Sequence, residues 1–305
     1  MRKNGSVTSS RRFGLLLDVD GPIASPVTRS INLPSIGRDL ATLANAGVPV
    51  IFNTGRSDAF IADEVVEPLL AAGLEAHARV FAICEKGATW FAITPEGAGE
   101  LSIDASLSPP PGFDDDVRAL VTEHYADLVF YDETKRATVT YEQRLDVSKE
   151  SFLARQLEID ETAIALLNAR GFGARRGAVD YADASGAVQY RADPSIISTD
   201  FESIRVGKDF GAERALMLLE GTGPMPTEWR TMGDSRGDYA MATWLHERGE
   251  TVAHADVRPE DGIPETAYPV LTAGELIHDD AGAAFLARWV EMLDDEALTD
   301  SGVAA

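Results

Sequence analysis

The chain has 305 residues, 45% of them hydrophobic, which is enough for one large domain or for a core domain that carries an inserted one. Its formal net charge of −23 argues against a nucleic-acid partner, because binding to phosphate backbones relies on clustered Lys and Arg. A single cysteine, Cys84, excludes an internal disulfide framework, and no apolar run of the sequence is long enough to span a bilayer.

The first twelve residues are polar and basic, and we expect them to form a mobile tail. The apolar run that follows, 13–17 (FGLLL), is too short to be the core of a secretion signal. Together with the single cysteine, this predicts a cytoplasmic protein without a membrane partner. The negative charge still permits a small anionic ligand, provided that its site has positive charge of its own from a metal ion, a lysine or backbone N–H groups.

A buried strand that ends in two carboxylates opens the folded part of the chain. Residues 15–23 (LLLDVDGPI) begin as an unbroken apolar run and then present Asp18 and Asp20, followed by a glycine. Open α/β folds bind ligands at the carboxyl ends of their strands, so the two aspartates predict a site there. The alternative is a strand that runs into an ordinary Asp-Gly turn.

Helices and strands then alternate. Apolar residues at helical spacing predict a helix over 35–46, and residues 48–52 (VPVIF) predict a strand that runs into an Asn-Thr-Gly-Arg turn (53–56). Ser57 can cap the helix that follows, and residues 79–84 predict a third strand. This β-α-β-α-β order predicts a parallel sheet with right-handed crossovers.

The alternation changes after about residue 102. The run SPPPG (108–112) is typical of a linker, and the segments beyond it predict a small α+β domain. These segments are a helix over 114–124, strands over 128–131 and 137–143, a helix over 149–169, and strands over 173–182 and 187–191. Beyond residue 194 the first pattern returns, with helices over 211–220, 239–248 and 281–293 and strands over 229–232 and 251–254.

The sequence therefore predicts an α/β fold whose core is a Rossmann-like, doubly wound parallel sheet with an inserted α+β domain. We expect the core to comprise residues 13–102 and 195–293 and the insert to comprise residues 103–194. The two ends, 1–12 and 294–305, are expected to be flexible tails.

Polar motifs follow several strands of the predicted core. Asp18 and Asp20 follow the first strand, the Thr-Gly-Arg turn follows the second, and GDSRGD (233–238) follows the strand at 229–232, while Lys208 lies in a loop before a helix. In a parallel sheet these strand ends share one edge, so the motifs can meet. Each motif has a plainer interpretation, as a helix cap, a solvated loop or a surface lysine, but their combined occurrence favours one site.

Charge repulsion makes a cation the natural companion of such a site. Asp18, Asp20, Asp234 and Asp238 in one cleft would repel each other by roughly 4 kcal/mol per close pair at an effective dielectric constant of about 20. An all-oxygen set of ligands suits Mg²⁺, which commonly bridges carboxylates to a substrate phosphate. The Thr-Gly-Arg turn, with its backbone N–H groups, and the ammonium group of Lys208 are the matching phosphate-binding groups.

On these residues the chain resembles the haloacid dehalogenase-like phosphohydrolase superfamily. The matching motifs occur in the family's order and are DVDGP (18–22), NTGR (53–56), Lys208 and GDSRGD (233–238). The insert is similar to the α/β cap domain of trehalose-phosphate, sucrose-phosphate and Cof-type phosphatases. Residues 84–88 (CEKGA) resemble their Glu-Asn-Gly-Ala turn, with Lys86 in place of asparagine.

The resemblance implies catalytic roles for four residues. Asp18 would be the nucleophile that attacks phosphorus and forms an aspartyl-phosphate. Asp20 would be the general acid that protonates the leaving alkoxide and later the base that activates water. Thr54 and Lys208 would hold the phosphoryl oxygens.

The resemblance also implies a bound Mg²⁺ and a substrate-binding surface. Asp18, the backbone carbonyl of Asp20 and Asp234 would bind the ion, with Asp238 either a ligand through water or an orienter of the metal's ligands. The residues expected to bind substrate are Thr54, Gly55, Arg56, Lys86 and Lys208 in the core and Lys135, Arg175 and Arg176 in the insert. For Arg56 the alternative is that it braces the loop.

Three departures accompany the resemblance. Pro22 stands where many members have threonine, and Gly237 stands where asparagine is usual. The glycine that normally follows the lysine is Asp209 here, with Gly211 two positions later. None of these departures removes a catalytic group, but the third leaves the register around Lys208 open.

Three functions fit these residues. The first is Mg²⁺-dependent hydrolysis of a small phosphorylated metabolite, with a sugar phosphate as the leading candidate. The second is a phosphotransferase or phosphomutase with the same aspartyl-phosphate step, in which a substrate hydroxyl replaces water. The third is a non-catalytic sugar-phosphate-binding protein, which the pair Asp18 and Asp20 argues against because a binder needs no nucleophile beside a proton donor. The natural substrate and the oligomeric state are left open.

Overall fold

The structure is a computed structural model that describes residues 13–301, with side chains as far as Leu293. The predicted N-terminal tail at 1–12 lies outside the described residues. So do residues 302–305, the last four of the predicted C-terminal tail at 294–305. The last helix continues to Ser301, beyond its predicted end at residue 293. The sequence of this extension, DDEALTDS, includes Glu, Ala and Leu, which are good helix formers.

The strands are numbered in chain order. They are β1 (Phe13–Leu17), β2 (Val50–Asn53), β3 (Val80–Cys84), β4 (Thr89–Thr94), β5 (Gly97–Ala98), β6 (Ser102–Ile103), β7 (Val129–Tyr131), β8 (Val139–Gln143), β9 (Ala174–Arg176), β10 (Val179–Tyr181), β11 (Tyr190–Pro194), β12 (Ser198–Ser203), β13 (Glu228–Gly233), β14 (Thr251–Asp256) and β15 (Val270–Leu271).

The helices are numbered in the same way. They are α1 (Pro34–Asn45), α2 (Asp58–Ile61), α3 (Glu67–Ala71), α4 (Phe113–Leu120), α5 (Lys149–Ala169), α6 (Lys208–Leu219), α7 (Tyr239–Glu247) and α8 (His278–Ser301). A turn of π-helix joins α2 to α3, and another continues α4.

The chain forms two compact units. Unit 1 contains the described residues up to Ser102 and from Gly207 onward, and unit 2 contains Ile103–Val206. The predicted return to the core at residue 195 is therefore corrected to residue 207. The reason is that β12 pairs antiparallel with both β11 and β8, which belong to the sheet of the insert. The pairing of β12 with β8 joins residues about 60 positions apart, and local sequence patterns do not reveal it.

Unit 1 is built on a sheet with the strand order β15-β14-β13-β1-β2-β3-β4-β5. The first six strands of this order pair in parallel, and β4 and β5 add an antiparallel edge. A mainly parallel sheet with crossover helices confirms the predicted α/β fold. All five residues of β1 are buried, as expected for a central strand covered on both faces.

Helices cover both faces of this sheet. Leu15 and Leu17 of β1 belong to a core that includes residues of α1, α3 and α8, whereas Leu16 belongs to a second core that includes residues of α6 and α7. This alternation follows from the two-residue period of a strand, which points successive side chains to opposite faces. The strand therefore positions the residue directly after it, Asp18, at the sheet edge.

Unit 2 is an α+β unit with the strand order β10-β9-β11-β12-β8-β7. Its core contains Phe113 of α4 and Phe152 of α5, packed with Tyr141 and Phe201 of the sheet. Within the described part of the chain, no helix is long and apolar enough to cross a membrane.

Helix α8 packs closely against the loop after β1, and this contact generates a stability prediction. A Cβ atom added at Gly282 would lie 1.8 Å from the backbone oxygen of Pro22, so one of the two segments would have to move. We expect Gly282→Ala to lower the free energy of unfolding by about 1–3 kcal/mol through overpacking, although alanine is the better helix former. Chemical denaturation measures this, with Arg288→Ala on an exposed position of the same helix as the control. Unchanged stability of Gly282→Ala would contradict the close packing.

Candidate active site

Asp18 is the first residue beyond β1 and is buried. Its backbone N–H donates to the oxygen of Met232 at 2.8 Å, which extends the pairing with β13 by one residue. Its carboxylate accepts a hydrogen bond from the backbone N–H of Val19 at 2.7 Å. The chain then turns at Gly21, whose positive φ of 92° suits glycine and where a Cβ would lie 2.7 Å from the Asp234 carboxylate. The loop after β1 is thus brought against the loop after β13.

Lys208 joins the strand ends. Its Nζ atom lies 2.6 Å from Oδ1 of Asp18 and 2.7 Å from Oδ1 of Asp238, and it donates to the backbone oxygen of Asn53 at 2.8 Å. Lys208 is the first residue of α6, so its predicted position in a loop before a helix at 211 is corrected. The sequence left open the register of the motif around Lys208. The contact between the Lys208 side chain and Asp18 resolves it, because it shows that this lysine lies at the site.

Three carboxylates meet beside this lysine. Asp18, Asp234 and Asp238 each have an oxygen within 4.8 Å of the others. Asp238 is fully buried, and its Oδ2 atom accepts hydrogen bonds from the backbone N–H of Ser235 at 2.9 Å and from the Ser235 hydroxyl at 2.7 Å. With one oxygen on Lys208 and the other on Ser235, Asp238 is held in one orientation.

Burial and mutual repulsion shift the pKa values of these carboxyls apart. Burial, and then the charge of Asp238, raise the pKa of Asp18 well above its usual value. Burial and the charge of Asp238 likewise raise the pKa of Asp234 to about 6. Burial acts in the same direction on Asp238, but the adjacent charge of Lys208 outweighs it and lowers the pKa of Asp238. For Lys208, burial is outweighed by the two aspartates, and its pKa is raised. A divalent cation would relieve the repulsion that remains.

The second predicted motif forms a turn beside the site. Thr54 is fully buried, its hydroxyl accepts a hydrogen bond from the backbone N–H of Arg56 at 3.1 Å, and its carbonyl accepts one from the backbone N–H of Lys86 at 2.9 Å. Lys86 has a φ of 55°, a left-handed conformation that asparagine tolerates better. A Cβ built at Gly55 would lie 3.5 Å from Cε of Lys86, so the Lys86 side chain lies over this turn.

Arg56 contacts Asp20, the second aspartate of the first motif. Its Nε and Nη2 atoms donate to the two carboxylate oxygens of Asp20 at 2.8 Å each, in a bidentate pair. Asp20 is therefore directed at an arginine, and its carboxyl is not part of the cluster formed by Asp18, Asp234 and Asp238. Its predicted contribution to metal binding, through the backbone carbonyl, stays a prediction.

The substrate-binding residues predicted in the insert lie in unit 2 and have partners there. Arg176 donates to the buried carboxylate of Asp160 at 2.6 Å, and Arg175 pairs with the exposed Asp180 at 2.6 Å. Lys135 lines a cavity of about 390 Å³. Their roles in substrate binding stay predictions.

Two residues near Asp234 were not found from the sequence. Nη1 of Arg258 and Nδ1 of His278 each lie 3.9 Å from Oδ2 of Asp234. Arg258 follows β14, a parallel strand whose end shares the same sheet edge, so the strand-end rule could have identified it. His278 begins α8 with a φ of 50°, and no local motif marks it.

The residues present fit a bound magnesium ion. Three carboxylates offer only oxygen ligands, as Mg²⁺ prefers, and two of them have raised pKa values because they are buried and because negative charge lies beside them. Both oxygens of Asp238 are engaged, by Lys208 and by Ser235, whereas Asp18 contacts Lys208 and Val19 through Oδ1 alone, and the cationic side chains near Asp234 lie 3.9 Å away. We therefore take Asp18 and Asp234 as the candidate ligands and Asp238 as the residue that orients Lys208.

Comparison with known proteins identifies the fold. No protein-family model and no curated protein matches the chain. Among solved structures, trehalose-6-phosphate phosphatase of Aspergillus fumigatus is 18% identical to this chain. The match covers 94% of each chain and has a TM-score of 0.51. The C-terminal domain of the Candida albicans trehalose-6-phosphate phosphatase is 14% identical over 93% of this chain and 94% of that one, with a TM-score of 0.61.

A haloacid dehalogenase-like hydrolase from Bacteroides thetaiotaomicron also matches, at 11% identity over 92% of this chain and 99% of that one, with a TM-score of 0.57. At such identities the similarity shows the fold. The chain has the haloacid dehalogenase-like fold with an inserted unit, which confirms the fold that the sequence resemblance implied.

The raised pKa of Asp234 leads to a prediction about the metal-free protein. A carboxyl with a pKa of about 6 in the folded state and about 3.9 in the unfolded state favours the fold when protonated, and this stability is lost as the pH rises through 6. Asp234→Asn removes the charge, so without metal it should be more stable than the wild type by about 1–2 kcal/mol at pH 8 and gain little below pH 4.

Thermal unfolding in EDTA across this pH range tests the expectation, with the exposed Asp63→Asn as a matched control. Addition of Mg²⁺ should raise the Tm of the wild type and leave Asp234→Asn unchanged. A variant that is less stable than the wild type at pH 8 in EDTA would contradict the charge repulsion.

Proposed function

We propose that the protein is a Mg²⁺-dependent phosphatase that hydrolyses a small phosphomonoester through an aspartyl-phosphate on Asp18. The observation that carries the proposal is the arrangement around Asp18: Nζ of Lys208 lies 2.6 Å from its carboxylate, and oxygens of Asp234 and Asp238 lie within 4.8 Å. A nucleophile, a cation and metal-binding oxygens thus surround one point at the end of a central strand.

In the first step, a carboxylate oxygen of Asp18 attacks phosphorus and the bond from phosphorus to the ester oxygen breaks. Asp20 gives its proton to the leaving alkoxide. The ammonium of Lys208 and the hydroxyl of Thr54 hold the phosphoryl oxygens. Asp18 and Asp234 would hold Mg²⁺, whose charge lowers the repulsion between the phosphoryl oxygens and the nucleophile.

In the second step, Asp20 takes a proton from water and the resulting hydroxide oxygen attacks the same phosphorus. The bond to Asp18 then breaks, which restores the free carboxylate and releases inorganic phosphate. Asp20 ends protonated and is ready for the next turnover, so the two aspartates need opposite protonation states at the start of each cycle.

We further propose that the substrate is a sugar phosphate. Two solved structures that share the fold are described as trehalose-6-phosphate phosphatases. The cavity in unit 2 is lined by the Tyr131 ring, by Arg118 and Lys135, and by Glu133 and Asp114. A sugar needs such a mixture, because its hydroxyl groups bind charged side chains and its C–H face packs on an aromatic ring.

Removal of the nucleophile is the first test of the proposed reaction. We expect Asp18→Asn to abolish phosphate release, because an amide cannot form the acyl phosphate. Asp20→Asn should slow release by about 10² to 10⁴-fold, the usual contribution of general acid–base catalysis. EDTA should stop turnover, and Mg²⁺ should restore it. Asp63→Asn is the matched control and should keep the wild-type rate.

The same assays distinguish the alternatives. Phosphate release from a panel of sugar phosphates supports a phosphatase, whereas formation of an isomeric sugar phosphate without release supports a phosphomutase. Full activity of Asp18→Asn, or activity that is indifferent to metal, would show that the reaction occurs elsewhere.

Variants of the cavity test the substrate class. We expect Lys135→Ala to raise KM for the best sugar phosphate by about tenfold, a loss of about 1.4 kcal/mol, and to leave kinetics with p-nitrophenyl phosphate unchanged. Lys149→Ala, at an exposed position of the same unit, is the control. Equal effects of Lys135→Ala on both substrates would contradict a role in sugar recognition.

A further inference from the structure

The contact between Arg56 and Asp20 has a geometry suited to fixing a side chain. Nε of Arg56 lies 2.8 Å from Oδ2 and 3.1 Å from Oδ1 of Asp20, and Nη2 lies 2.8 Å from Oδ1. Both carboxylate oxygens therefore face one planar guanidinium group. Bidentate pairs of this kind restrict orientation as well as adding energy, and lysine cannot reproduce them.

Arg56 is itself held on several sides. Its guanidinium lies over the ring of Phe60, 4.6 Å from the ring centroid. Its backbone N–H donates to the Thr54 hydroxyl at 3.1 Å, and its carbonyl accepts from the backbone N–H of Glu85 at 3.0 Å. The arginine is thus anchored to the turn after β2 and to the turn after β3, and it presents a fixed fork to Asp20.

We propose that Arg56 is the positioning residue of Asp20 and that it acts on the reaction through this carboxylate and not through contact with the substrate. The inference rests on the function proposed above. A guanidinium fork complements the carboxylate form of Asp20, which is the form that takes the proton from water in the second step. Arg56 therefore aims the base during hydrolysis of the aspartyl-phosphate.

The proton transfers of Asp20 determine which step of the reaction the loss of Arg56 should slow. After Asp20 has given its proton to the leaving alkoxide, it is a carboxylate until it takes a proton from the attacking water. The fork is complementary to Asp20 only in this interval. Loss of Arg56 should consequently slow the breakage of the bond between phosphorus and Asp18 more than its formation, at least for a substrate whose leaving group needs no proton.

The first experiment compares the wild type with Arg56→Gln on p-nitrophenyl phosphate, whose leaving group departs without protonation. We expect kcat to fall on the order of 10²-fold, the usual effect of misplacing a catalytic group by about 1 Å. KM should fall with it, because the phosphoenzyme accumulates, so that kcat/KM, which reports the first step, stays within about twofold of the wild type. A burst of p-nitrophenolate should precede the slow steady state, and intact-mass measurement should detect the accumulated phosphoenzyme. Arg56→Lys should recover part of kcat.

A double-mutant cycle separates positioning from substrate contact. If Arg56 acts through Asp20, adding Arg56→Gln to Asp20→Asn should change kcat less than twofold, because the group it positions is already lost. If Arg56 binds the phosphoryl group, the two losses should multiply and KM should rise. Multiplied losses would overturn the proposal.

Controls separate this inference from its premise. Arg38→Gln, at an exposed arginine paired with the neighbouring Asp39, should have the wild-type kcat, and circular dichroism should show that Arg56→Gln is folded. Absence of phosphatase activity in the wild type would defeat the proposed function. The positioning is tested apart from turnover by crystal structures of the wild type and Arg56→Gln. An Asp20 carboxylate that keeps one and the same orientation in both would overturn it.

Discussion

The rest of the site depends on the ion pairs that the ammonium group of Lys208 forms with two carboxylates. The ammonium contacts carboxylates that follow two different strands, at 2.6 Å and 2.7 Å, and the backbone oxygen at the end of a third strand. Without it, the buried carboxylates would repel each other by roughly 4 kcal/mol per close pair. Because the lysine is the first residue of a helix packed on the sheet, the fold itself delivers this charge to the centre of the strand ends.

The two aspartates of the first motif are two residues apart and yet lie in different electrostatic surroundings. Asp18 is buried and faces Lys208 and two further carboxylates, which suits a nucleophile that works with a metal ion. Asp20 is more exposed and pairs with Arg56, which suits a group that exchanges protons with substrate and water. Under the proposed mechanism, this division would give one site both a nucleophile and an acid–base group.

In the insert, by contrast, charged side chains pair with other residues of the same unit. The buried Asp160 accepts hydrogen bonds from Tyr141 and Arg176, and Arg118 pairs with Glu133 and stacks over Tyr131. A buried carboxylate must be satisfied in this way, because an unpaired charge in a core is costly. Of these residues, Arg118, Tyr131 and Glu133 line the cavity of about 390 Å³, so their pairing orients part of its wall.

The sequence by itself determined the α/β class, the aspartates at the end of β1 and the turn at 53–56, because a strand's period and its terminal residues are local properties. It could not determine that β12 belongs to the insert, that His278 approaches Asp234, or that Arg56 pairs with Asp20 across 36 positions of chain. These contacts depend on which loops the sheet brings together and on the rotamers that packing allows, and only the tertiary structure decides both.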